Sequence, residues 1–146
     1  MLNDLPDKKE LEFLQNREYF EIRNQVTKKL HHLLYQLEES MPVPDNLRAH
    51  FPHGTLFSGK VSRGENHLGF PYLVLDYPRF FRKNDILTIR TMIWMGNYVS
   101  SSLHLHGTES GSRKKGIMKI AAESEDDGYF ICKTDPWDYR INPDTC

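Results

Sequence analysis

The hydrophobic pattern of this 146-residue chain changes period once, across a stretch that holds Pro42, Pro44 and Pro52. Before it, Leu11, Leu14, Ile22, Val26, Leu30, Leu33, Leu34 and Leu37 recur mostly at steps of three and four, with Glu18 the one charged residue on their line. That spacing is a helical stripe. After it, residues 55–61, 72–76, 86–95, 98–106, 117–122 and 129–134 are rich in β-branched, aromatic and aliphatic side chains, with turn formers between most of them. Helix followed by strands, without alternation, predicts an α+β fold. An N-terminal helical segment should pack on a mainly antiparallel sheet of five to six strands.

The length fits a single domain over 1–146. Its expected parts are a helical segment (1–41), a Pro-rich connector without regular structure (42–54), the sheet (55–134) and a C-terminal extension (135–146). Trp137 would anchor that extension over the edge of the sheet. Asp7 reads as the first N-cap, because its carboxylate can accept free amide hydrogens and Glu10 follows three residues on. One helix from Lys8 to Ser40 would be long, and a break is expected near Asn16 or Asn24.

Gly96-Asn97 predicts a two-residue hairpin loop, since both residues tolerate positive φ. That loop sets Met95 opposite Tyr98, Ile93 opposite Ser100, Thr91 opposite Ser102, Ile89 opposite His104 and Leu87 opposite His106. Thr88, Arg90, Met92, Trp94, Val99, Ser101, Leu103 and Leu105 then fill the other face.

Hydrophobic residues are 38% of the chain and charged residues 27%, which excludes a membrane-embedded or disordered polymer. Nineteen basic residues face twenty acidic ones, so a dedicated nucleic-acid binder is not expected. The charge is uneven: net −2 over 1–50, +6 over 51–120 and −5 over 121–146. No apolar run is long enough to span a bilayer, and the first residues lack a signal-peptide pattern. With only Cys132 and Cys146, neither in a CxxC pair, the expectation is a soluble cytoplasmic protein with free thiols.

His104 and His106 form an H-x-H pair on one strand, so both imidazoles face one way and could share a divalent ion such as Zn²⁺. A third ligand would come from His67, Glu65, His50, His53 or Asp76. Residues 62–67 read as a polar loop whose Arg63, Glu65 and His67 supply a base, an acid and an imidazole for a ligand. Arg90 lies mid-strand and needs a partner, either Asp76 or Glu123 or an anionic ligand in a pocket lined by Trp94, with a cation–π contact to that indole. Residues 76–83 interleave aromatics and cations in a second loop, and residues 111–116 and 123–128 read as basic and acidic turns. No Walker, Rossmann, HExxH or nucleophile-elbow motif occurs. The leading functional expectation is a non-catalytic binding or protein-interaction module, able to form a homodimer. The alternative is an enzyme that binds a metal or an anionic ligand at the His104/His106 hairpin and the 62–67 segment.

Overall fold

The computed structural model describes residues 5–43, 45–49, 51–108, 113, 115, 137 and 138. Helix α1, Lys8–Leu14, starts at the expected cap. The Asp7 carboxylate accepts the Glu10 N–H (2.8 Å), and the Glu10 carboxylate accepts the Asp7 N–H (2.7 Å). The stripe breaks at Asn16, whose side-chain oxygen accepts the Tyr19 N–H (3.0 Å) and opens helix α2, Arg17–Ser40. The rings of Phe13, Tyr19 and Phe20 meet pairwise at 4.9, 5.6 and 5.2 Å and fasten this elbow. The connector was expected to lack regular structure but contains a one-turn helix, α3, Asp45–Arg48. Asp45 and Arg48 pair across that turn at 3.3 Å.

Four strands lie among the described residues: β1 (Lys60–His67), β2 (Phe70–Arg82), β3 (Asp85–Trp94) and β4 (Val99–His106). They form one antiparallel sheet in the order β1-β2-β3-β4. The α+β architecture follows the sequence. The expected strands at 117–122 and 129–134 and the turn at 123–128 lie outside the described residues. Of the expected basic turn at 111–116, Arg113 and Lys115 are described, and both have helical backbone.

Three expectations need correction. Residues 62–67 are not a loop but most of strand β1, and the first strand therefore begins at Lys60 rather than at 55. An edge strand need not be apolar when a helix supplies polar partners, and here Arg23 of α2 pairs with Glu65. Residues 76–82 likewise continue strand β2 rather than forming a loop. A bulge between Asp76 and Arg79 absorbs Pro78, which has no N–H for the ladder. The Arg79 backbone then pairs both ways with Leu56 (2.7 and 2.9 Å).

The third correction is the β3–β4 register. The loop has three residues, Met95-Gly96-Asn97. The Asn97 N–H closes on the Trp94 carbonyl (3.0 Å), and the Trp94 N–H donates to the Tyr98 carbonyl (3.0 Å). Every pair moves by one: Ile93 faces Val99, Thr91 faces Ser101, Arg90 faces Ser102, Ile89 faces Leu103, Thr88 faces His104 and Ile86 faces His106. His104 and His106 still share a face, but it is the face of Thr88 and Arg90 instead of Leu87 and Ile89.

Alternation along β2 divides the core in two. Leu73, Leu75 and Tyr77 point to α2 and meet Leu34, only 2% exposed, together with Ile93, Leu30, Leu37 and Val61. Val74 points the other way, into a second cluster with Met92, Trp94, Tyr72 and Tyr98. No helix among the described residues is long and apolar enough to cross a membrane.

Candidate functional site

Two surfaces stand out, one on each face of the sheet. On the face away from α2, Asp76 and Arg90 are cross-strand partners and both are nearly buried. The guanidinium donates through Nε and Nη2 to the two carboxylate oxygens at 2.6 and 2.7 Å, a bidentate pair. Of the partners expected for Arg90, Asp76 is found, and Glu123 lies outside the described residues. The aromatic cap over Arg90 is Trp137, 4.4 Å from ring centroid to guanidinium carbon, and not Trp94. Trp137 also stacks on His104, with centroids 5.9 Å apart and planes 26° from parallel. Asp138, the next residue, acts electrostatically on Tyr98. Burial raises the Tyr98 phenol pKa, and the Asp138 carboxylate raises it further.

His104 sits opposite Thr88, which is fully buried, and its Nε2 shares a hydrogen bond with the Ser102 hydroxyl (3.0 Å). Burial lowers the imidazole pKa to about 4, with the Arg90 charge adding to the effect and Asp76 opposing it. The ring is therefore neutral at neutral pH. A base that weak takes a hydroxyl proton poorly, so the Ser102–His104 contact lacks what a nucleophile and its base require. Asp76, Arg90, Trp137 and His104 instead make a clasp that fixes position 137 to the sheet. Among the described residues, no three His, Cys, Asp or Glu side chains converge where they could hold a metal ion. The Arg90 charge that depresses His104 would also repel a metal cation there.

The residues singled out in the sequence are split between the two faces. Arg63 and Glu65 point to α2: Glu65 pairs with Arg23, and Arg63 lines a shallow cleft with Asn24, Thr27, Lys28 and His31. His67 ends β1 on the opposite face. Its ring lies 5.9 Å from Tyr72 and 5.1 Å from Trp94, and its carbonyl accepts the Trp94 indole N–H (3.1 Å). Arg63 and Glu65 thus do not join His104 and His106.

The second surface was missed in the sequence. Glu38 accepts the Gly59 N–H (2.5 Å), and Asn24, Thr27, Lys28 and His31 share their cleft with Arg63, so this flank of α2 looks to the β1 edge. The other flank carries Ile22, Val26 and Leu33, all half-exposed. On the α2 side of β3, Leu87, Thr91 and Ile93 are buried. Ile89 and Leu103 are cross-strand partners yet 39% and 44% exposed, and Val99 is 67% exposed. These six residues are exposed aliphatic side chains on α2, β3 and β4. The width of the Leu11–Leu37 stripe was the available signal, because it holds more apolar positions than one helix face can bury.

Comparison of the chain with protein families, with curated proteins and with solved structures finds no match.

Proposed function

We propose that this chain is a non-catalytic protein-interaction module whose exposed aliphatic residues on β3 and β4 take an amphipathic helix. The observation that carries the reading is the exposure of Ile89, Val99 and Leu103 on one face of these strands, with Ile89 and Leu103 as cross-strand partners, whereas exposed apolar residues with no role are usually scattered singly. A two-layer fold buries a sheet face under helices, and α2 packs chiefly on β1 and β2. A helix laid on these residues beside α2 would have the geometry of helix-in-groove recognition. On the opposite face Asp76, Arg90, His104 and Trp137 engage one another.

The test is a titration of the isotopically labelled chain with a synthetic amphipathic helix of Leu and Lys, followed by NMR. Amide shifts should concentrate on β3, β4 and the Ile22–Leu33 flank of α2. Leu103→Asp should weaken binding about tenfold or more. It should leave the melting temperature within about 2 °C, because the side chain is already half in water. Equal binding by the variant, or shifts confined to other surfaces, would reject this face as the docking site.

A further inference from the structure

We propose that the cleft between α2 and β1 binds a small, free phosphate-bearing compound, held through Arg63 and Lys28. This cleft lies on the flank of α2 away from Ile22, Val26 and Leu33, and the proposal does not rest on the reading of the β3–β4 face.

The strand register decides where Arg63 points. Arg63 pairs with Leu73, whose side chain lies in the core under α2, and Val61, two residues earlier on the same strand face, packs there too. Arg63 is therefore turned towards α2. On the helix, Asn24, Thr27, Lys28 and His31 stand at i, i+3, i+4 and i+7, so they share one stripe. With Arg63 they line a cleft of about 410 Å³, within the usual size of a small-molecule site.

Glu65, the carboxylate beside Arg63 on the same strand face, is taken up by Arg23 of α2. Lys28 and Arg63 make no ion pair or side-chain hydrogen bond with any described residue. Two cations from different elements thus line one cleft, and no described carboxylate lines it with them. Their repulsion is answered by an oxyanion placed between them. The guanidinium offers paired N–H donors and the ammonium three more. The Asn24 amide and the N–H that the His31 imidazole keeps in either tautomer complete a donor set suited to phosphate oxygens.

Two ties between helix and strand limit the length of the ligand. Arg23 pairs with Glu65 past one end of the stripe, and Glu38 accepts the Gly59 N–H (2.5 Å) past the other. At 1.5 Å per residue the stripe runs about 10 Å along the helix. A long polyanion would meet both carboxylates, and a small phosphate compound fits between them.

The test follows amide shifts of the labelled chain during titration with inorganic phosphate, against sodium chloride at matched ionic strength. Phosphate should shift residues 24–31 and Arg63 along one saturating curve, and chloride should not. Arg63→Gln and Lys28→Gln, both at exposed positions, should each weaken binding about fivefold, the worth of one solvent-exposed charged contact. Lys83→Gln, in the β2–β3 turn, should leave binding unchanged. Shifts that spread over lysines and arginines elsewhere, or that match those in chloride, would overturn the site, as would unchanged affinity in Arg63→Gln and Lys28→Gln. If one of these variants does not fold, the other decides, since they change different elements. A Gly-Ser peptide carrying one phosphoserine should bind no more tightly than inorganic phosphate. Binding tighter by about tenfold or more would overturn the choice of a free small compound and assign the cleft to a phosphorylated protein.

Discussion

Truncating either member of the Asp76–Arg90 pair leaves the other charged, nearly buried and without its bidentate partner. The cost is set by that stranded charge more than by the lost attraction, so Arg90→Ala or Asp76→Ala should each destabilise the fold by about 3–5 kcal/mol. Replacing both with apolar residues of similar size, Asp76→Leu with Arg90→Met, should recover most of the loss. Urea midpoints of the two single variants and the double variant decide the matter. A double variant as unstable as the singles would mean that the clasp depends on charge itself. His104 adds a pH dependence whose sign follows from its environment. Its pKa falls from 6.5 to about 4 on folding, so between those values the unfolded chain binds more protons than the folded one. The contribution of His104 is complete above about pH 6.5 and is lost as the pH falls towards 4. His104→Phe keeps a ring to stack on Trp137 and has nothing to protonate. The difference in stability between pH 7 and pH 4.5 should therefore be smaller in the variant than in the wild type. Equal losses in the two would place the acid sensitivity elsewhere.

Elements were legible in the sequence wherever a local rule decides them. The Asp7–Glu10 box, the break at Asn16 and the stop at Pro42 are each set by a backbone group within a turn of the residue that satisfies it. β1 was not legible, because what makes Ser62–His67 a strand is distant. Arg23 of α2 answers Glu65, and Gly64 leaves room for the Tyr72 ring, with which a Cβ would collide. The β3–β4 register failed for a different reason. Gly96 supplies the positive φ that a two-residue and a three-residue loop can both use, and both faces of the hairpin mix apolar with polar residues. Alternation then cannot tell one register from its neighbour. The one-residue change altered the candidate site more than the fold. It put His104 beside Thr88 and Arg90, and it made Ile89 and Leu103 cross-strand partners on the α2 side of the sheet. That Arg90 needs an anion could be read from chemistry alone, since a mid-strand cation requires one nearby, but the choice of Asp76 came from the strand pairing. Trp137 was foreseen as an anchor but not as the residue over Arg90, because no local pattern links positions 47 residues apart.

At the scale of the molecule, the core between α2 and β2 and the cluster around Met92 hold the fold together, while no residue of α1 is buried. Phe13 at the end of α1 packs on Tyr19 and Phe20 at the elbow, within the same helical segment. Removing residues 1–14 should therefore leave the melting temperature unchanged within about 2 °C. Scanning calorimetry of the full and the shortened chain checks this. A fall of more than about 5 °C would place α1 inside the cooperative unit, through surface that it covers and not through residues of its own.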